Sequence, residues 1–272
     1  MDNPEIGSFI DVDGINTNYH DCGNGDPVIL LHGSGPGVSA WANWRLNMNE
    51  IGKRNRVIAP DIVGFGFTQR PENNNYSMNL WVNHIISFMD KLGIETASIV
   101  GNSFGGALAL ALAVRFPKKV HKLILMGSVG IKFKLTNGLN MVWAYEPSIS
   151  NMRQMLDLFA HDRSLVDDEL AEFRYKASVR EGFQESYSSM FPAPRQRWVD
   201  AMSQSEENIK SINCPTLIIH GREDVIVPIE NSTKLFNLIK NSELHLFGRC
   251  GHWTQIEHRS TFNNLVSHFL HR

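Results

Sequence analysis

The chain has 272 residues, 42% hydrophobic and 20% charged, with a formal net charge of -2. That is enough to bury one large core, and the near balance of charge provides no general attraction to nucleic acid or an anionic membrane surface. Its three cysteines, Cys22, Cys214 and Cys250, are odd in number and lack metal-ligand spacing, so reduced thiols and a cytoplasmic location are expected.

The start, Met1-Asp2-Asn3-Pro4-Glu5, is acidic and lacks the apolar centre of a signal peptide. Residues Ile6 to Tyr19 read as a hairpin turning at Asp13-Gly14. An apolar strand, Val28-Ile29-Leu30-Leu31, runs directly into the glycine-rich loop His32-Gly33-Ser34-Gly35-Pro36-Gly37. That loop has no Gly-Lys-Ser/Thr ending and no G-x-G-x-x-G entering a helix, which argues against a phosphate cradle. Strands are expected at Arg56–Pro60, at Ala97–Val100 and at Lys122–Met126. The longest apolar run, Ala107 to Val114, is far too short to span a bilayer.

After Met126 the pattern becomes helical for about eighty residues, with aromatic side chains spaced among polar ones. Strand signals return at Thr216–His220 and at Leu244–Phe247, and a helix of about fifteen residues closes the chain. Strands alternating with helices imply an α/β fold with a mostly parallel sheet and helices on both faces. The expected organisation is a core of residues 1–133 and 210–272, with residues 134–209 forming a helical lid over the carboxyl ends of the strands.

Gly101-Asn102-Ser103-Phe104-Gly105 lies between the strand Ala97–Val100 and a helical run of small residues, the setting in which G-x-S-x-G presents a serine on a sharp turn. A serine hydroxyl is a weak nucleophile and needs a base, itself oriented by an acid. Asp224 follows the strand ending at Gly221, and His252 sits in the loop Gly248-Arg249-Cys250-Gly251-His252-Trp253. Ser103, Asp224 and His252 thus form a candidate triad, with Glu223 as the competing acid. The order serine, acid, histidine is that of the α/β-hydrolases. The segment from His32 to Gly37 is of the type that supplies one oxyanion-hole N–H, here that of Ser34, the second coming from Phe104 after the nucleophile. His32 is expected to orient that loop, and Cys250 stands close enough in sequence to His252 to line the site.

These segments, together with Pro60-Asp61-Ile62-Val63-Gly64-Phe65-Gly66, resemble the meta-cleavage product hydrolases, α/β-hydrolases that break a carbon-carbon bond in aromatic ring-fission products. The likeness covers essentially the whole chain and is strongest to members of the monoalkylbenzene (cumene) pathway, with Asn102 and Trp253 narrowing it. It implies a substrate of the 2-hydroxy-6-oxohexa-2,4-dienoate type, split into 2-hydroxypenta-2,4-dienoate and a carboxylic acid. It also implies Arg180 as the carboxylate-binding cation, with Asn102 and Trp253 as companion donors. It implies a homodimer or larger homo-oligomer, and no metal or organic cofactor. Arg180 has a rival reading as a surface ion-pair partner of Glu181 or Glu185. An apolar acyl pocket is expected from Val129, Leu139, Trp143, Val199 and Val227, each of which is also readable as ordinary packing. Acyl-enzyme and direct water attack both remain open. A general carboxylesterase or lipase, or a triad-bearing ligand receptor, shares the fold but has no need of a cation beside Asn102 and Trp253.

Overall fold

The computed structural model describes residues 3–272; Met1 and Asp2, part of the polar start, lie outside the described residues. Eight strands form one sheet: β1 (Ser8–Val12), β2 (Ile15–Cys22), β3 (Pro27–Leu31), β4 (Arg56–Pro60), β5 (Ala97–Asn102), β6 (Val120–Met126), β7 (Thr216–Gly221) and β8 (Ser242–Phe247). Their spatial order is β1-β2-β4-β3-β5-β6-β7-β8. β2 is antiparallel to both β1 and β4, and every other neighbouring pair is parallel. The expected hairpin is β1-β2, turning at Asp13 (φ 52°) and Gly14 (φ 85°), the left-handed pair that a tight two-residue turn requires.

Alternation along the buried strands separates two apolar layers. Ile29 and Leu31 face the helices Met78–Lys91 and Phe104–Arg115, while Val28 and Leu30 face Trp44 and the helix Arg259–Leu270. Phe104–Arg115 is buried on every side through Ala113, because its alanines and leucines sit between sheet and neighbouring helices.

Between β6 and β7 the chain is helical, as its periodicity predicts. Thr136, Ser148 and Asp167 start three of these helices by accepting the Leu139, Asn151 and Leu170 N–H groups. The terminal helix differs from expectation. It is split into Thr254–Glu257 and Arg259–Leu270 at His258, whose ring stacks on Phe247 (4.8 Å), so tertiary packing interrupts a segment with no local breaker.

Candidate active site

β5 is buried at every residue and delivers its chain into Ser103 at φ 53°, ψ −112°, a conformation strained for an L-residue by roughly 1–3 kcal/mol. Surrounding bonds hold it there: the Ser103 N–H donates to the Met126 carbonyl (2.9 Å), and its carbonyl accepts from Gly106 (3.0 Å), Ala107 (3.3 Å) and Val129 (3.2 Å). A Cβ on Gly101 would overlap the Gly105 carbonyl, and one on Gly105 would overlap that of Leu31. The elbow closes only with glycine at both positions.

Asp224 lies just past β7, where its Oδ1 accepts the Ile226 and Val227 N–H groups at 2.8 and 3.0 Å. Its Oδ2 is 2.6 Å from His252 Nδ1. A carboxylate only accepts, so Nδ1 carries the hydrogen and Nε2 is left as the basic nitrogen. Burial would raise the Asp224 carboxyl, but its interactions with His252 and His220 outweigh that and hold the group below the usual carboxylate range. Glu223, the competing acid, instead accepts the Cys250 N–H (2.9 Å) and pairs with Arg222 (2.8 Å).

Ser103 and His252 line one cavity of about 420 Å³ with Ser34, Asn102, Leu139 and Trp253. The loop after β3 is set by His32. Its Nδ1 donates to the Gly33 carbonyl (2.8 Å), and its Nε2 accepts the Ile62 N–H (3.0 Å). Burial pushes the His32 pKa down to about 4, so the ring is neutral and the loop is held by one tautomer. Among the described residues no backbone bond uses the Ser34 or Phe104 N–H, which leaves both free for an oxyanion. Trp143 Nε1 donates to Ser34 Oγ at 3.1 Å, bracing that residue from the helical insertion.

Several expected contacts are corrected. Arg180 does not reach the cavity: its Nη1 pairs with the buried Glu5 carboxylate at 2.8 Å, and its guanidinium lies over Phe67 and Phe183. Its partner is thus neither Glu181 nor Glu185. Two other arginines line the cavity: Arg45, which donates to the Ala42 carbonyl (3.2 Å) and lies over Trp41, and Arg174. In Arg174 one guanidinium nitrogen is left over: Nη2 donates to the Pro36 carbonyl (3.3 Å), while Nη1 is buried without a partner among the described residues. Val129, Trp143, Val199 and Val227 are buried but are not among the residues that line this cavity; alternation and helical period tell that they are buried, not which face they meet. Of the expected acyl-pocket residues Leu139 alone lines the cavity, and Val142, Met155, Leu156, Phe159 and Ile226 complete its apolar side. Cys250 is also outside the lining, its thiol pushed up to about 12 by burial and the Glu257 charge. All three cysteines are free.

Arg174 was legible in principle. Leu170, Ala171, Arg174, Ala177 and Ser178 fall on one helical face, so the arginine interrupts an otherwise small and apolar stripe. Gln255, fully buried with both amide atoms unpartnered among the described residues, also lines the cavity and had no sequence signal.

A family model for the alpha/beta hydrolase fold matches residues 26–259. The chain is 59% identical to a 2-hydroxy-6-oxo-2,4-heptadienoate hydrolase from Pseudomonas putida, over 98% of this chain and 97% of that one. It is 55% identical to a 2-hydroxymuconate semialdehyde hydrolase from Pseudomonas sp. strain CF600, over 99% and 95%. A solved meta-cleavage product hydrolase from Pseudomonas fluorescens IP01, a serine variant complexed with acetates, matches with a TM-score of 0.98 and 61% identity over 99% of each chain.

Proposed function

The chain belongs to the meta-cleavage product hydrolases of the alpha/beta hydrolase family, and on that footing we propose that it hydrolyses the C5–C6 bond of 2-hydroxy-6-oxo-6-alkylhexa-2,4-dienoates such as 2-hydroxy-6-oxo-7-methylocta-2,4-dienoate. The observation that carries this reading is the meeting, in one cavity, of the Ser103 and His252 side chains with the Arg174 guanidinium, whose Nη1 has no partner among the described residues, and an apolar wall from Leu139 to Phe159. A simple ester needs no buried cation; a dienoate supplies the anion that a partly desolvated guanidinium requires.

The substrate carboxylate pairs with Arg174, its enol oxygen meets Asn102 and Trp253, and its alkyl end lies against Leu139, Val142, Leu156 and Ile226. The 2-hydroxyl proton is lost as C5 gains one, so that the 2-oxo group becomes an electron sink. His252 Nε2 takes the Ser103 proton as Oγ attacks C6, and the Ser34 and Phe104 N–H groups hold the oxyanion. The C5–C6 bond then breaks, its electron pair passing through C5 to the 2-oxo oxygen, which regains a proton to give 2-hydroxypenta-2,4-dienoate. Water, deprotonated by His252, releases the acid from Ser103. The balance is one substrate and one water to two products.

Residues 134–209 act as a lid, supported by the cavity wall they supply. The three free cysteines suit a reducing cytoplasm; no described helix is long and apolar enough to cross a membrane. The family likeness favours a homodimer or larger homo-oligomer, which light scattering measures directly. The function is tested by isobutyrate release from the methylocta-dienoate. Wild type should form it in step with dienoate loss and Ser103→Ala should form none; full turnover by the variant would remove the acyl-enzyme.

A further inference from the structure

His220 is fully buried near the end of β7, on the same side as Ile218 and facing the helix Ile229–Leu238. Its Nδ1 is 2.6 Å from Ser232 Oγ. Its Nε2 is 3.0 Å from the Val227 carbonyl and 3.2 Å from Asp224 Oδ2. A carbonyl only accepts, so Nε2 carries the hydrogen and shares it between Val227 and Asp224, while Nδ1 accepts from the Ser232 hydroxyl. A neutral ring satisfies all three contacts.

We propose that His220 is a positioning residue for the reaction, fixing through its Nε2–H the direction in which Asp224 Oδ2 meets His252, with Ser232 latching the ring. The inference rests on the reading of Asp224 and His252 as the catalytic pair. Asp224 is buried, and a buried carboxylate needs a donor on every face. Ile226 and Val227 serve Oδ1; His252 and His220 serve Oδ2. Val227 closes a ring of contacts, giving its N–H to one carboxylate oxygen and its carbonyl to the histidine that holds the other. Neither His220 nor Ser232 lines the cavity, so their effect must pass through Asp224. The other ionisable groups packed on this loop are engaged elsewhere. Glu223 meets Cys250 and Arg222, and Glu257 meets Gly251, His161 and Asp162.

Removing the His220 donor leaves more charge on Oδ2, which favours a protonated His252 and moves the acidic limb of kcat/KM to higher pH. The experiment compares pH profiles on the methylocta-dienoate for wild type, His220→Phe, His220→Gln and Ser232→Ala, alongside ¹⁵N-histidine NMR of the wild-type protein. His220→Phe should lose about tenfold in kcat/KM, mostly in kcat, with its acidic limb raised by about half a pH unit. Ser232→Ala should shift the same way by less, and His220→Gln, which retains a donor, should keep the wild-type limb. The spectrum should show His220 as the Nε2–H tautomer across the active pH range. Limbs unmoved in both Phe and Ala variants would overturn the proposal, as would an Nδ1–H tautomer; should the Phe variant fail to fold, Ser232→Ala and the spectrum decide. A wild-type protein that leaves the dienoate intact would refute the assigned reaction instead, with the ring-nitrogen result still judging His220.

Discussion

The Phe159 carbonyl accepts the N–H of His252 at 2.7 Å, so the end of the inserted helix Ile149–Phe159 directly holds the loop that carries the base. The same carbonyl takes the Trp253 N–H (3.2 Å), and the Phe159 ring stacks on Trp253 at 5.2 Å and on His252 at 5.8 Å. Glu257 adds a second clamp. Its Oε2 accepts the His161 and Asp162 N–H groups at 2.8 and 2.9 Å, and its Oε1 accepts that of Gly251 at 2.7 Å. The base loop and the insertion are therefore tied together at two points on either side of His252.

Glu257→Gln removes the charge from that clamp and turns one acceptor into a donor facing N–H groups. Unfolding in urea should show a loss of about 1–3 kcal/mol, and kcat on the dienoate should fall more than KM rises. A variant as stable and active as wild type would mean the clamp holds nothing.

Arg174 and Arg180 should separate by substrate. Arg174→Gln should lower kcat/KM on the dienoate by about 100-fold while leaving p-nitrophenyl acetate hydrolysis nearly unchanged, because only the dienoate carries a carboxylate. Arg180→Gln should leave both activities close to wild type and cost about 1–3 kcal/mol in stability by exposing the buried Glu5 without its partner. The reverse pattern would restore Arg180 as the substrate cation.

The fold was legible because buried parallel strands are short apolar runs punctuated by glycine and proline, and the elbow because its glycines are dictated by local contacts. Chain order pointed to the acid and histidine that the fold brings to 2.6 Å, Asp224 and His252. Arg174 was obscured by its neighbours: Asp167, Asp168, Glu169, Glu172 and Lys176 make the helix look like a solvated one, and only its angular position reveals the buried face. His220 reads as a strand-end residue until β7 and the helix carrying Ser232 are packed together. The break at His258 likewise depends on Phe247, which no local window contains.

Acid should destabilise the protein through its buried histidines. His84, whose Nε2 contacts Thr17 Oγ1 at 2.9 Å, is pushed down to about 4 by burial. Its folded pKa lies below the unfolded value, so the stabilisation is complete above about pH 6.5 and is lost as pH falls towards 4. Denaturant titrations of His84→Gln and wild type across that window should converge in stability by about 2–3 kcal/mol towards the acid end. A constant difference at every pH would show that His84 does not titrate with folding.

A cavity that serves a dienoate rather than a simple ester should reveal itself in the ratio of specificity constants for 2-hydroxy-6-oxo-7-methylocta-2,4-dienoate and p-nitrophenyl acetate with the wild-type protein. Dienoate absorbance should be lost rapidly, with a kcat/KM at least about 100-fold above that for the ester, since binding at Arg174 would contribute to one and not the other. Brisk ester cleavage beside an unbleached dienoate would contradict that preference and leave a general esterase.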